Sequence, residues 1–225
     1  MSTTQAAAAP FGARTLAEIA VDLPGATGVF RRHKLDFCCG GRVKLAEAAA
    51  EKGIPLADLA AELDAAAERG QGAGRPPATP DLVDWIETRF HATHRRDLPE
   101  LLRLARRVEA VHRAHPAVPH GLALHLETMA AALEDHMRKE EAVLFPLMRR
   151  GGHPGIVAPI RAMLIEHEDH GVHLRELERL TGNFAVPEGA CPTWRALYAG
   201  IDAFTADLLE HIHTENNVLF PRFTG

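Results

Sequence analysis

The chain has 225 residues, 46% hydrophobic and 24% charged, which is ordinary for a globular protein and long enough for one sizeable domain with a smaller one attached. A net charge of −5 leaves no electrostatic footprint for nucleic acid, and no apolar window approaches the roughly 18 residues that would span a bilayer. The Ala6–Ala9 run is too short for a signal-peptide core, and three cysteines, two of them adjacent, are no disulfide framework. The expectation is therefore a soluble, cytoplasmic protein. One compositional feature is unusual: of 14 histidines, 13 lie after residue 90.

Residues 1–13 are low in complexity and are expected to be disordered. Residues 14–70 read as a small helical domain. Leu16, Ile19 and Ala20 have helical spacing, and Val29, Phe30 and Leu35 suggest a second short turn. The run Asp36-Phe37-Cys38-Cys39-Gly40-Gly41 breaks the pattern, since paired glycines punctuate. Helical spacing resumes at Leu45, Ala46, Ala49 and Ala50, and again at Leu56, Leu59, Ala60 and Leu63. Residues 71–80 crowd glycine and proline without an apolar period and read as a linker.

Four long helical patterns fill residues 81–225. The first carries Leu82, Ile86, His91 and His94, with Pro99 expected to kink or break it. The second carries Leu122, Leu126, Met129, Leu133, His136, Glu140 and Leu144, and stops at Arg149-Arg-Gly-Gly. The third carries Ile160, Met163, Leu164, His167, Leu174 and Leu177. The fourth carries Trp194, Leu197, Ile201, Phe204, Leu208, His211 and Glu215. With short connections and no convincing strand pattern, the fold class is all-α: an antiparallel four-helix bundle preceded by a small helical domain.

The second and fourth helices end in copies of one motif. His136-x3-Glu140-x3-Leu144-Phe145-Pro146 recurs as His211-x3-Glu215-x3-Leu219-Phe220-Pro221, identical at six of eleven positions and beginning 75 residues apart (211 − 136). Residues four apart on a helix share a face, so each copy aims an imidazole and a carboxylate at one point. Polar residues on apolar stripes are costly unless a cation compensates them. Two matched copies, with His91 and His167 on the other two helices, form the ligand kit of a two-metal site in a bundle. The Phe-Pro pairs are expected to cap the bundle end and disfavour further helix before the proline.

The order His91…His136-x3-Glu140…His167…His211-x3-Glu215 resembles the hemerythrin-like di-iron bundle. With Asp36-Phe37-Cys38-Cys39-Gly40-Gly41 ahead of it, His91-x2-His94-Arg95, Glu166-His167 and Glu215-Asn216-Asn217-Val218-Leu219-Phe220-Pro221-Arg222, it is similar to the RIC (repair of iron centres) family. The resemblance covers about residues 14 to 224 of the 225. It implies a cofactor of two non-haem iron ions with His91, His136, His167 and His211 as ligands and Glu140 and Glu215 as bridging carboxylates. It also implies repair of iron–sulfur clusters damaged by oxidative or nitrosative stress, by iron donation. The implied partners are damaged iron–sulfur proteins, with NO or O2 as small ligands and neither nucleic acid nor membrane; a homodimer is compatible with them. Two alternatives stay open at this stage: an enzyme, a di-iron nitric oxide reductase turning NO into N2O, and an O2- or NO-binding sensor module.

Other residues have plainer readings. His94, three residues past His91, shares its face and is in reach of the centre, either as a ligand or, the plainer reading, behind the ligands or toward solvent; His170, three past His167, is placed to line the same channel. Glu166, about 100° round the helix from His167, is either a rim acid/base or gate, or part of a solvated face. Glu141 corresponds to Asn216 in the other copy, so its position need not be acidic. His125 is too far up its helix, roughly 16 Å at 1.5 Å per residue, to share the metal. His112, His115, His120, His153 and His213 read as loop or surface residues, and Cys191 as incidental. Cys38 and Cys39 are expected on a flexible, accessible turn as a soft-metal ligand, redox thiols or an iron-transfer site, against the plainer reading of two small buried residues.

Overall fold

A computed structural model describes residues 11–69 and 78–224. Of residues 1–13, expected to be disordered, 1–10 lie outside the described residues, whereas 11–13 form an ordered turn in which the Phe11 carbonyl accepts from the Arg14 N–H at 3.0 Å; most of the expected linker, residues 71–77, also lies outside the described residues. Among these there is no strand, only an isolated bridge between Thr15 and Lys44, and the chain is all-α. It divides into two compact units: Met1–Arg75 with Ile212–Gly225, and Pro76–His211.

In the first unit, α1 (Leu16–Asp22), α2 (Ala26–Arg32), α3 (Leu45–Lys52) and α4 (Leu56–Arg69) are short amphipathic helices. Thr15 opens α1 with a capping box: its hydroxyl accepts from the Glu18 backbone while the Glu18 carboxylate accepts from the Thr15 N–H. Leu16, Ile19, Val29, Phe30, Leu45, Leu59 and Leu63 form the core, each at most 2% exposed. The Arg32 and His33 side chains reach Glu62 on α4, at 2.6 and 2.7 Å.

The second unit is built from rods. The first rod runs α5 (Thr79–Ile86), a π turn (Glu87–His91) and α6 (Ala92–Val111). The second runs α7 (Leu122–Lys139), a π turn (Glu140–Leu144) and α8 (Phe145–Arg149). The third is α9 (Val157–Thr181), closed by Gly182 in the left-handed conformation that a helix C-terminus needs. The fourth is α10 (Pro192–Thr214), which continues past the unit's end at His211 into a π turn (Glu215–Leu219) and α11 (Pro221–Thr224). Helix α7 packs against both α6 and α9, and α5 against α8. Helix α10 reaches the first rod through the Arg89–Asp207 ion pair and the edge-on contact of His94 with Phe204.

The proline expectations are corrected in part. Pro99 does not break its helix but lies inside an unbroken α6. Pro146 and Pro221 do not end their rods: each stands in the first turn of a further short helix, where the missing N–H is tolerated. The break in regularity falls ahead of them instead, as a π turn.

Candidate metal centre

Four residues of the expected ligand set converge in pairs on a fifth. His91 comes from the first rod, His136 and Glu140 from the second, His167 from α9 and His211 from α10. None of the five is more than 1% exposed. His91 Nε2 lies 3.2 Å from His211 Nε2, and His136 Nε2 lies 3.1 Å from His167 Nε2. Glu140 stands between the pairs: its Oε2 is 3.4 Å from His91 Nε2 and 3.4 Å from His136 Nε2. Ring nitrogens at this spacing match the edge of about 3.0–3.4 Å between ligands on a metal with bonds of about 2.1 Å. A carboxylate shared by two such pairs has the geometry of a bridge. Glu215 is also buried, at 0% exposure, and opens the π turn one helical turn past His211.

Each π turn carries one of these residues at its end. His91 closes the first, Glu140 opens the second and Glu215 opens the third. In all three an N–H reaches five residues back: Ala92 to Glu87, Phe145 to Glu140, Phe220 to Glu215. Such turns recur at functional sites, where one extra residue re-aims a side chain. The apolar walls are aromatic. Phe145 stacks on His91 at 5.6 Å and Phe90 on His211 at 5.1 Å.

Behind the imidazoles stand two carboxylates. Glu141 Oε1 accepts from His91 Nδ1 at 2.7 Å and also from Arg95, which in turn holds Glu134. Glu166 Oε2 accepts from His136 Nδ1 at 3.0 Å, and its Oε1 accepts from Lys139 at 2.7 Å. A carboxylate on Nδ1–H fixes the tautomer and leaves the Nε2 lone pair for a cation. Burial pushes the Glu141 carboxyl up, but the bonds from Arg95 and His91 more than offset it, and its pKa ends below the usual range. The His136 hydrogen bond, opposed by burial and helped by Lys139, holds Glu166 down at about 2. Both therefore stay anionic. Glu166 faces the outer nitrogen of His136, so the solvated-face reading does not hold. Glu141 carries no signal in the sequence repeat, because its counterpart is Asn216.

The two flanking histidines are interior. His94 is 0% exposed, stacked on Phe90 and 5.3 Å from the His211 ring. His170 is 2% exposed and stands perpendicular to the His136 ring at 5.0 Å. His112 is half-buried, 3.1 Å from the Cys191 sulfur, and packs on Trp194 with His115. His213, expected at the surface, is 0% exposed and packs edge-on against Phe37.

In the first unit, Asp36, Cys38 and Cys39 bring a carboxylate oxygen and two sulfurs within 4.8 Å of one another. The expected accessible turn is accessible only in part, with Asp36 exposed, Cys39 half-buried and Cys38 buried. Cys38 is 5% exposed, and Ala17 N–H bonds to the Gly41 carbonyl at 2.8 Å. A Cβ on Gly41 would lie 2.5 Å from the Phe37 carbonyl oxygen, so the glycine is there for close approach. Asn216 donates to the Cys38 carbonyl and Asn217 to the Phe37 carbonyl, each at 3.0 Å. Its hydrogen bond to Cys39, then burial and the nearby Asp36 raise the Cys38 pKa well above the ordinary thiol value. The side chain stays a thiol.

The donor set of the second unit is all nitrogen and oxygen, with a carboxylate to offset charge. It suits a borderline-to-hard cation such as iron, manganese or zinc. Among the described residues no helix is long and apolar enough to cross a membrane.

Comparison with known proteins agrees with this geometry. Residues 82–223 match the hemerythrin HHE cation binding domain, and residues 12–67 match the ScdA_N family, described as a domain of unknown function. The iron-sulfur cluster repair protein YtfE of Pectobacterium atrosepticum is 44% identical over 211 residues, covering 93% of this chain and 96% of its own. That of Musicola paradisiaca is 45% identical over 212 residues, covering 93% and 95%. The probable iron-sulfur cluster repair protein of Haemophilus influenzae is 42% identical over 216 residues, covering 94% and 97%.

Proposed function

The chain belongs to the RIC (repair of iron centres) family of hemerythrin-like proteins, and from that premise we propose that it restores iron–sulfur clusters damaged by oxidative or nitrosative stress by donating iron. The observation that carries this is Glu140, whose one oxygen lies 3.4 Å from a histidine of each pair. It supports a centre of two non-haem irons, His91 and His211 serving one and His136 and His167 the other, with Glu140 bridging. Glu215 repeats the relation of Glu140 to His136 four residues past its own histidine, and serves as the second bridging carboxylate.

When bound, the irons supply metal held by nitrogen and oxygen alone, weakly enough for release to a sulfur-rich acceptor. The protein's own groups do the rest. Glu141 and Glu166 orient His91 and His136 and add charge behind them. The buried apolar walls around Phe90 and Phe145 keep water out. Cys38 and Cys39, with Asp36 beside them, are suited to pass iron onward as thiolates once a cation displaces the thiol protons. The partners are damaged iron–sulfur proteins in the cytoplasm, with NO or O2 as small ligands.

The test combines Mössbauer spectroscopy and iron quantitation with a reactivation assay. Protein from iron-replete cells is expected to hold two high-spin irons per chain, to lose them in His136→Ala, and to reactivate an NO-damaged cluster enzyme. Less than about one iron per chain, with no change in His136→Ala, would sink the site. Catalytic NO consumption without reactivation would make the protein a nitric oxide reductase instead.

A further inference from the structure

The turn Asp36-Phe37-Cys38-Cys39-Gly40-Gly41 carries a second set of donors, wholly within the first unit. Asp36 Oδ1 lies 3.4 Å from the Cys38 sulfur, and that sulfur lies 3.7 Å from the Cys39 sulfur. One oxygen and both sulfurs fall within 4.8 Å of one another. A tetrahedral cation with bonds of about 2.3 Å to sulfur and about 2.1 Å to oxygen has edges of about 3.8 Å between two sulfurs and about 3.6 Å between sulfur and oxygen. The two observed separations match these edges to about 0.2 Å, the tolerance expected of a real metal site.

The backbone holds these donors in place. Cys39 N–H donates to Asp36 Oδ1 at 2.9 Å, which fixes the carboxylate over the sulfurs. The Asn216 amide holds the Cys38 carbonyl at 3.0 Å. A Cβ on Gly40 would stand 3.1 Å from Asp36 Oδ2, so a side chain there would crowd the carboxylate, and glycine leaves that flank clear. Asp36 is exposed, Cys39 half-buried and Cys38 buried, so a cation enters from the carboxylate side. Thiolate ligands select soft and borderline cations over magnesium or calcium. Each thiol releases its proton to solvent as the metal binds.

We infer that Asp36, Cys38 and Cys39 form a binding site for one thiophilic divalent cation of the cobalt and zinc class, with Asp36 as the third ligand. The fourth coordination position is left to water or to a sulfur of an acceptor. This goes beyond the proposed function, because no residue of the two-iron centre takes part. Iron(II) stands below cobalt(II) and zinc(II) in the affinity order of such donors, so these ions occupy the thiols ahead of iron.

Cobalt(II) added to anaerobic, fully reduced full-length protein provides the test. Its near-ultraviolet charge-transfer band reports thiolate ligands alone, so cobalt held by nitrogen and oxygen elsewhere does not contribute. The band is expected to saturate at about one cobalt per chain and to be bleached by zinc(II). Cys39→Ser, at a half-buried position, should lose about half its intensity. Asp36→Asn keeps the acceptor for Cys39 N–H, and with it the turn, yet should weaken cobalt binding at least about 10- to 100-fold, the loss that even an outer partner of a ligand costs. Cys191→Ser and His136→Ala should both keep the band. No thiolate band in wild type, or one undiminished in Cys39→Ser, would overturn the inference. So would wild-type cobalt affinity in Asp36→Asn, or loss of the band in His136→Ala. An intact band in a protein that holds no iron and reactivates no cluster would instead sink the proposed function alone.

Discussion

Glu166 and Glu141 decide how well the imidazoles of His136 and His91 are presented. Each accepts from an Nδ1–H, and each is kept anionic by a cation on its other side, Lys139 for Glu166 and Arg95 for Glu141. Carboxylates in this position typically contribute 10- to 100-fold in metal affinity, by fixing the tautomer and making the ring more basic. Glu166→Ala should therefore weaken iron binding by about 10- to 100-fold, as read by competition with a chelator. Glu166→Gln, whose carbonyl still accepts from Nδ1 but carries no charge, should fall between the variant and wild type. Equal affinity in all three proteins would mean that His136 is oriented by its packing alone. The proposed ligands could be picked out in the sequence because His136-x3-Glu140 and His211-x3-Glu215 obey helix geometry within one element. Glu141 could not, since its partner His91 is 50 residues away on another rod and no local spacing records that contact.

The π turns are where element geometry and site geometry meet. Periodicity located all four rods, because the apolar stripes are long and each rod buries one. It did not show that three of them carry one residue too many just beside a ligand. A single wide turn leaves the period on either side intact and shifts only its phase. Pro146 is compatible with the wide turn and would be costly in a regular one, where its ring would strike the carbonyl four residues back and an N–H would be missing. Val143, 53% exposed, is the residue whose removal would convert the turn to an α turn with least effect on packing. Deleting it should cost about 3 kcal/mol of stability, recovered when Pro146→Ala is added. The double variant should fold like wild type in thermal unfolding yet bind iron more weakly, because Glu140 no longer starts a wide turn. Full iron affinity in the folded double variant would show that the π turn does not aim Glu140. In the first unit, helices α2 and α4 are tied by Glu62, whose carboxyl is held below its ordinary pKa by hydrogen bonds from Arg32 and then His33. A lowered carboxyl pKa stabilises the fold above the unfolded value of about 4.3 and ceases to do so as pH falls through the folded value. Glu62→Gln should thus melt earlier than wild type at pH 7, by no more than about 1 kcal/mol for so exposed a pair. The two melting curves should converge as pH falls through the lowered folded value, where Glu62 takes up its proton; a difference that persisted once the carboxyl was neutral would mean packing, not charge, is at work.

At the scale of the molecule, the chain's last residues belong with its first. Ile212–Gly225 forms a compact unit with Met1–Arg75, although His211 belongs to the other unit and sits on the same helix. No periodicity could announce this, because the joining contacts are between side-chain amides and carbonyls about 180 residues apart: Asn217 to Phe37 and Asn216 to Cys38. Asn217 also donates to His213 Nδ1, and His213 packs on Phe37, so the helix face after His211 holds the thiol turn from several sides. The segment that carries Glu215 is thereby the one that clamps Cys38. The clamp makes Cys38 unreactive for two reasons: it is 5% exposed, and its pKa is raised by the Cys39 hydrogen bond and by burial. An alkylating reagent reaches such a thiol only through local opening, so the rate follows the free energy of that opening. Removing two hydrogen bonds worth about 1 kcal/mol each should raise it by roughly 30-fold. Asn216→Ala with Asn217→Ala should accordingly label Cys38 that much faster at pH 7.5, while Cys191, with no part in the clamp, labels at its wild-type rate. If Cys38 labelled no faster in the double variant, the two asparagines would be bystanders and the thiol turn would be held by the Gly41–Ala17 contact alone.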